Sequence, residues 1–187
     1  VMIPLTVLDP RIPDSQLIDF KIIVPHVDKD DEEIDASFQG RDERNNVAFV
    51  KAKPASSGEA RQWKPLKFVP ARDHLAAGQH IFSIGLMPKT AGYRSYLSEA
   101  TIAAQLRGEM TQFLATGGGL AAIGSPVFDL QGNAIGYVPY QTGQQYLLHT
   151  TARRGRGGDD EGQTTLYSVE RPAHIFMPTE EIQQALQ

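Results

Sequence analysis

The chain contains the stretch Gly117-Gly118-Gly119-Leu120-Ala121-Ala122-Ile123-Gly124-Ser125-Pro126-Val127-Phe128-Asp129-Leu130-Gln131-Gly132-Asn133-Ala134-Ile135-Gly136-Tyr137-Val138. Its two short apolar runs are separated by a Gly/Asn turn, a pattern that predicts a β-hairpin. The glycine-rich segment ahead of the hairpin predicts a loop whose backbone closely approaches another part of the protein, because glycine has no side chain and tolerates positive φ. The stretch therefore predicts a hairpin that is entered through a tight loop.

Short apolar or alternating runs elsewhere in the chain also predict strands, at residues 20–24, 34–38, 47–50, 81–84, 100–102, 146–148 and 175–177. Many short strands separated by Gly, Pro and Asp turns favour a sandwich or a closed barrel. Only the tail at 179–186 predicts a helix, which Thr179 can cap and which carries two glutamates in its first turn. The polar segments 55–59 and 153–162 predict flexible surface loops.

Composition limits the classes of protein to which the chain can belong. A length of 187 residues fits one domain with a single core. The formal net charge of −4 argues against a general nucleic-acid binder, whose surface would be basic. The chain has no cysteine, so a disulfide scaffold and a thiolate metal site are excluded. No apolar run is long enough to span a bilayer, and because the sequence begins at Val1 we expect a processed product or a fragment.

Residues 124–136 resemble the nucleophile loop and following hairpin of trypsin-like serine proteases of the HtrA-like branch. In that family the pattern runs Gly-Asn/Asp-Ser-Gly-Gly-Pro-Val-Phe and then Asp-x-x-Gly-x-x-Ile-Gly. Three more stretches, at 36–51, 77–88 and 176–182, resemble further motifs of the family in the same order. The resemblance implies an all-β, trypsin-like double barrel with a short C-terminal helix.

The resemblance also implies a division of this single domain. A remnant of the first barrel is expected at about residues 20–70, and the second barrel with the helix at 71–187. The first strands of the N-terminal barrel are expected to be absent or replaced by residues 1–19. An incomplete first barrel would leave open strand edges, which proteins normally cover or pair. We therefore expect a truncated chain or a covering partner.

The resemblance places altered residues at the catalytic positions. Ile123 falls at the nucleophile, and an isoleucine has neither a proton to lose nor a lone pair to attack with. Asn46 falls at the acid, and its neutral amide cannot stabilise an imidazolium. The histidine is expected at residues 11–15, which contain none. The sequence therefore predicts a protease fold that has lost catalysis.

The residues around the nucleophile position are predicted binding positions. By the same resemblance, Ala121 replaces the first glycine of the nucleophile loop and Ala122 its Asn/Asp, while Gly124 is retained. Backbone N–H groups of this loop would form an oxyanion hole in a protease. Because alanine disfavours positive φ, we expect that the hole does not form.

An active protease with a rearranged site is the alternative interpretation. It takes Ser125 as a displaced nucleophile and His26, His80 or His149 as its base. Ser125 precedes Pro126, which favours extended backbone over a tight nucleophile turn. His26 superficially resembles the histidine motif of the family, but using it leaves too few residues for the hairpin before the acid position. A structural serine and a histidine at a strand end are the preferred readings.

No metal or cofactor is predicted. The acidic residues between Asp28 and Glu33 could hold calcium through oxygen ligands, but their spacing fits no fixed pattern and a solvated turn is preferred. The histidines show no paired spacing for zinc.

The expected partner is a protein or an extended peptide bound by β-addition, or a larger assembly in which the domain is a subunit. The remaining alternative is a structural β-domain without a groove. The resemblance also implies a periplasmic or otherwise extracytoplasmic location.

Overall fold

The computed structural model describes residues 1–9, 11–54, 63–107, 111–139, 141–150 and 165–185. For residues 141–150, 165–173 and 184–185 only the backbone is described. The loops predicted at 55–59 and 153–162 lie outside the described residues.

The N-terminal part of the chain forms an open antiparallel sheet of four strands, β1 (Met2–Pro4), β2 (Phe20–Val24), β3 (Glu32–Asp42) and β4 (Val47–Ala52). Their order in the sheet is β1-β4-β3-β2. The short β1 pairs with β4 across a large separation in sequence, with Met2 opposite Phe49. A β-bulge between Phe38 and Gly40 bends β3, which gives the sheet the curvature of half a barrel.

The remaining strands form a closed barrel. They are β5 (His80–Leu86), β6 (Ser95–Arg107), β7 (Thr111–Thr116), β8 (Pro126–Phe128), β9 (Ala134–Tyr137), β10 (Gln141–Thr150) and β11 (Thr165–Pro178). The sheet order is β10-β11-β7-β6-β5-β8-β9, and β11 also pairs with β9. That last pairing closes a ring of six strands, with β10 alongside β11. The helix α1 (Thr179–Ala185) follows β11 directly.

The predicted all-β fold with one short C-terminal helix is confirmed, and the N-terminal barrel is incomplete as expected. The central hairpin is the β8–β9 pair. Its turn is held by Asp129, whose Oδ1 accepts hydrogen bonds from the N–H groups of Gln131 at 2.9 Å and Asn133 at 2.8 Å. Two strands, β1 and β7, were not predicted, and β1 lies before the expected start of the first barrel.

Two apolar clusters hold the fold together. The barrel interior contains the fully buried Ile81, Ile102, Phe113, Val127 and Phe176. Within it the rings of Phe113 and Phe176 stack with centroids 5.1 Å apart. A second cluster, of Val47, Tyr137, Met177 and Ile182, joins the open sheet to the barrel and the helix. The two sheets are thus packed on each other where β4 begins and β9 ends.

Candidate functional site

The loop between β7 and β8, residues 117–125, is fixed from its start by glycine. A Cβ on Gly118 would lie 2.0 Å from the carbonyl oxygen of Glu99, so only glycine fits there without a shift of the backbone. Leu120 and Ala121 then enter the core, with exposed fractions of 5% and 2%. The N–H of Ala121 donates to Oγ of the buried Ser83 at 2.5 Å. The loop is therefore anchored to β5 and β6 before it reaches Ile123, the predicted nucleophile position.

Residues 122–125 form a tight turn. The N–H of Ser125 donates to the carbonyl of Ala122 at 3.0 Å, and Gly124 takes a φ of 86° at the third position of the turn. The turn is attached to the end of β9, because Gly124 N–H donates to Val138 O at 2.8 Å and Val138 N–H donates to Ser125 O at 3.0 Å. Ile123 lies at the apex with 39% of its surface exposed. The turn therefore presents its second residue toward solvent, and that residue is aliphatic.

The hydrogen bonds of this loop bear on the predicted binding positions. The N–H groups of Ala121 and Gly124 already donate to Ser83 and Val138, as described above. Ala122 lies on the exposed side of the turn. In a protease the oxyanion hole needs two N–H groups directed at one point outside the chain. Here Ala121 directs its donor into the barrel.

Asn46 lies beside this loop in a strained backbone conformation. Its φ is 54°, in the left-handed region that asparagine tolerates better than most residues. Its side-chain Nδ2 donates to the carbonyl of Pro139 at 3.0 Å, and its own carbonyl accepts from Leu5 N–H at 2.9 Å. Pro139 lies just after β9, so the amide links the open sheet to the barrel. A carboxylate could not make this bond, because it has no proton to donate.

Residues 4–6, at the end of β1 and just beyond it, lie between Asn46 and the turn. Pro4 is buried and packs on Gly124, where an added Cβ would lie 3.2 Å from the proline ring. Thr6 Oγ1 donates to the same Pro139 carbonyl at 3.3 Å. A catalytic base must contact both the acid and the nucleophile. Residues 4–6 contact both Asn46 and the turn, but they contain no histidine. Residues 11–15, where we expected the histidine, contain none either.

The structure does not bring His26 together with Asn46. His26 follows β2 and lies beside Glu32, with Nε2 3.9 Å from the carboxylate. Glu32 begins β3, whereas Asn46 follows the other end of that strand. Eleven residues of strand span about 35 Å. Ser125, by contrast, lies on the same loop as Ile123.

The other proposed bases lie elsewhere. His80 Nδ1 is 2.6 Å from Glu99 Oε1, on an exposed part of β5 and β6. Only the backbone of His149 is described. The catalytic and binding roles assigned to these residues from the sequence stay predictions.

Carboxylates of the acidic turn between Asp28 and Glu33 form hydrogen bonds and an ion pair with other residues of the protein. Asp31 accepts hydrogen bonds from Tyr93 Oη at 2.6 Å and from His26 N–H at 3.3 Å, while Glu33 pairs with Lys21. The hydrogen bond from Tyr93 holds the pKa of Asp31 below its ordinary value and raises the pKa of Tyr93. Among the described residues no group of three or more His, Cys, Asp or Glu side chains could hold a metal ion. In the same part of the chain no helix is long and apolar enough to cross a membrane.

His174, which the sequence did not single out as part of the site, packs under the glycine loop. Its Nε2 would lie 3.5 Å from a Cβ on Gly119, and its Nδ1 is buried without a hydrogen-bond partner among the described residues. Burial lowers the pKa of His174. Its neighbours are distant in sequence, so no local pattern could have revealed it.

The structure thus contains an open four-stranded sheet and a closed six-stranded barrel, whose β7–β8 loop packs against the open sheet. Comparison with known families leads to the same fold. Residues 9–136, more than half of the chain, match the family model described as trypsin-like peptidase domain. The chain belongs to this family. The search of curated proteins found no significant match.

Solved structures show the same fold. The apo MamO protease domain from Magnetospirillum magneticum is 13% identical with a TM-score of 0.57, and the match covers 100% of this chain and 82% of that one. For Deg5 the identity is 18%, the TM-score 0.53 and the coverage 74% and 68%. The HtrA-type protease AlgW, solved with a decapeptide, is 14% identical with a TM-score of 0.54, and the match covers 99% of this chain and 46% of that one. The fold resemblance to HtrA-type proteases predicted from the sequence is thus confirmed.

Proposed function

We propose that this trypsin-like domain does not cleave peptide bonds and instead binds an extended polypeptide segment at the surface formed by the turn at residues 122–125 and the neighbouring residues 4–6, which we call the cleft around Ile123. The observation that carries the proposal is the turn at residues 122–125, which retains a tight presenting geometry but carries a hydrocarbon at its apex. A nucleophile must supply a hydroxyl, thiol, amine or carboxylate there. An exposed isoleucine supplies an apolar contact.

The surroundings of the turn support loss of catalysis. Asn46 uses its side chain as a donor to Pro139, and Ala121 uses its N–H on Ser83. The Asn46 side chain is therefore held to the barrel by a bond that a catalytic aspartate could not make, and the Ala121 N–H is not left to stabilise an oxyanion. The segment that contacts both Asn46 and the turn contains Pro4, Leu5 and Thr6, which cannot act as a general base of the histidine type.

Polypeptide binding follows from what remains. A trypsin-like cleft without a nucleophile can still hold an extended chain by β-addition, in which main-chain hydrogen bonds give affinity and side-chain pockets give specificity. The exposed Ile123 side chain would contact an apolar side chain of that segment. Service as a fixed subunit of a larger assembly would use the same surface.

Two assays on the whole chain test the loss of catalysis. The protein is incubated with unfolded casein and, separately, with a serine-directed fluorophosphonate. We expect no casein fragments and no labelling, both for the wild type and for Ser125→Ala. Casein turnover that Ser125→Ala abolishes would establish the rearranged protease and overturn the proposal.

Binding is tested on the same preparation. Unfolded, reduced casein is immobilised and titrated with wild type, Ile123→Asp and Leu130→Asp by biolayer interferometry. Leu130 is a matched control, because it is 64% exposed and lies on the turn after β8. We expect Ile123→Asp alone to weaken binding, by about tenfold for loss of one buried aliphatic contact. Equal affinities for all three proteins would contradict the binding site.

A further inference from the structure

A second surface of the molecule lies at the other junction between the open sheet and the barrel. The loop between β5 and β6, residues 87–94, meets the turn after β2 there. The two contribute to a groove of about 690 Å³ whose apolar walls include Val27, Met87, Ala91 and Tyr96. Val27 is 68% exposed and Met87 43%, so the apolar side chains are open to solvent. None of these residues belongs to the cleft around Ile123.

The groove is held in shape by a contact between the two parts of the fold. Asp31, on the turn after β2, accepts a hydrogen bond from Tyr93 Oη at 2.6 Å and lies 3.5 Å from Lys89 Nζ. Gly92 and Tyr93 take φ values of 69° and 50°. Positive φ is a genuine outlier for a bulky side chain such as tyrosine, and strain of this kind is typical of sites that clamp a ligand.

The apolar walls continue onto the outer surface of the barrel. Ile84 on β5 lies directly opposite Leu97 on β6, and Leu86 lies opposite Ser95, which lines the groove. Ile84, Leu86 and Leu97 are 46%, 50% and 65% exposed. Because directly opposed residues of an antiparallel pair share a face, these side chains form a strip that leads into the groove. A contiguous exposed apolar surface of this kind marks an interaction site.

The charge of the groove specifies the chemistry of the partner. Arg94 is the charged residue that lines it, and among the described residues its guanidinium makes no hydrogen bond or ion pair. A guanidinium beside an apolar wall binds a carboxylate through paired N–H donors. Asp28 and Asp30, which are exposed next to Val27, would repel an acidic group that approached the turn after β2. The surface is therefore suited to a partner whose acidic group contacts Arg94 and does not approach Asp28 and Asp30.

We propose that the strip Ile84, Leu86 and Leu97 together with the groove beside Arg94 binds an extended segment of a partner protein, one that has apolar side chains followed by a carboxylate. The exposed Ile84 and Leu86 are two residues apart on β5, which matches the two-residue repeat of side chains on an extended polypeptide and favours it over a small amphiphile. This docking surface is additional to the cleft proposed above and does not depend on it.

Fluorescence anisotropy tests the proposal with two short labelled peptides of alternating leucine and serine, one ending in an amidated glutamate and the other in an amidated glutamine. We expect the wild type to bind the glutamate peptide at least about threefold more tightly, the scale of an exposed ion pair. Arg94→Gln is expected to remove this preference, and Val27→Asp to weaken both peptides. Lys29→Gln is the matched control: it removes an exposed positive charge from the turn beside Val27 without touching the groove, and the preference should persist.

Each other outcome overturns the docking surface. No saturable binding of either peptide does so, as does an unchanged preference in Arg94→Gln. Binding that Ile123→Asp abolishes while Arg94→Gln and Val27→Asp leave it intact would place the peptide in the cleft instead. Because the casein assays depend on Ile123 and this one on Arg94 and Val27, failure of one proposal is distinguishable from failure of the other.

Discussion

At the residue scale, Asn46 shows how a position predicted from a catalytic motif can serve the fold. Its amide donates to Pro139 O at 3.0 Å, and a carboxylate at the same place would face that carbonyl with two acceptor oxygens. The residue therefore joins the open sheet to the barrel at the edge of the site.

We predict that Asn46→Asp destabilises the protein by about 1–3 kcal/mol, because it loses the bond to Pro139 and leaves a carboxylate against an acceptor. The free energy of unfolding in urea at pH 7 measures the effect. At pH 3 the loss should be smaller, since a protonated carboxyl can donate again. Asn46→Gly keeps the positive φ and only deletes the amide, so it should lose less than Asn46→Asp at pH 7. An aspartate variant as stable as wild type would contradict the structural role.

His174 gives a second prediction at this scale. Burial lowers its pKa in the folded state, so the unfolded chain binds the proton first as pH falls. The stability that neutral His174 contributes to the folded state is therefore fully present above the ordinary histidine pKa of about 6.5. It declines as pH falls from there through the lowered folded-state pKa of His174. Urea denaturation at pH 7.5 and pH 5.5 should show a loss of stability that His174→Gln reduces. A pH dependence unchanged in that variant would exclude His174 as its source.

At the element scale, the loop at residues 117–125 depends on a glycine that no side chain can replace. Gly118 would place a Cβ 2.0 Å from the Glu99 carbonyl, whereas a Cβ on Gly132, in the β8–β9 turn, meets nothing within 4 Å. Replacing Gly118 by alanine therefore tests a steric clash, whereas replacing Gly132 tests backbone strain. Gly132 has a φ of 82° and would suffer the strain alone.

We expect Gly118→Ala to lower the free energy of unfolding by about 3 kcal/mol, because the backbone of β6 must move. Gly132→Ala should lose only about 1 kcal/mol, the penalty of a left-handed alanine. Thermal and urea unfolding of both variants compare them directly. If the two losses are equal, or Gly118→Ala is the milder, the close approach to Glu99 is not what fixes this loop.

Element prediction from the sequence succeeded where local pattern was strong. The β8–β9 hairpin combines apolar runs with an Asp/Gly/Asn turn, and α1 carries two glutamates in its first turn. Thr179, which the sequence predicted as the cap, is instead the first residue of α1, and its buried Oγ1 has no hydrogen-bond partner among the described residues. The strand β1 was missed, since three residues ending in Pro4 carry no periodicity and pair only with the distant β4. The six-residue β7 was missed as well, because Thr111–Thr116 mixes polar and apolar residues.

At the scale of the whole molecule, the C-terminal helix fastens the segment between the open sheet and the barrel. Glu180 Oε1 accepts hydrogen bonds from the N–H groups of Ala71 and Arg72, both at 2.8 Å. Glu181, only 3% exposed, pairs with the Arg72 guanidinium at 2.7 Å and accepts from Thr111 N–H at 3.0 Å. The two carboxylates therefore tie residues 71–72 and the start of β7 to the end of the chain.

We predict that Glu181→Ala lowers the free energy of unfolding by about 2–3 kcal/mol, because it leaves Arg72 and a backbone donor without their acceptor. Glu180→Gln keeps an oxygen acceptor and should lose about 1 kcal/mol. The midpoint of urea denaturation measures both. A Glu181→Ala protein as stable as Glu180→Gln would show that the pair with Arg72 contributes no net stability.

The sequence by itself determined the all-β class, the central hairpin, the terminal helix and the family, since these depend on local periodicity, turn residues and motif order. The family resemblance also predicts that Ile123 stands at the nucleophile position. Only the tertiary structure decided that Asn46 donates to Pro139, that residues 4–6 lie between Asn46 and the turn, and that Arg94 borders an apolar groove. Each of these depends on contacts between residues far apart in the chain, which no local pattern encodes.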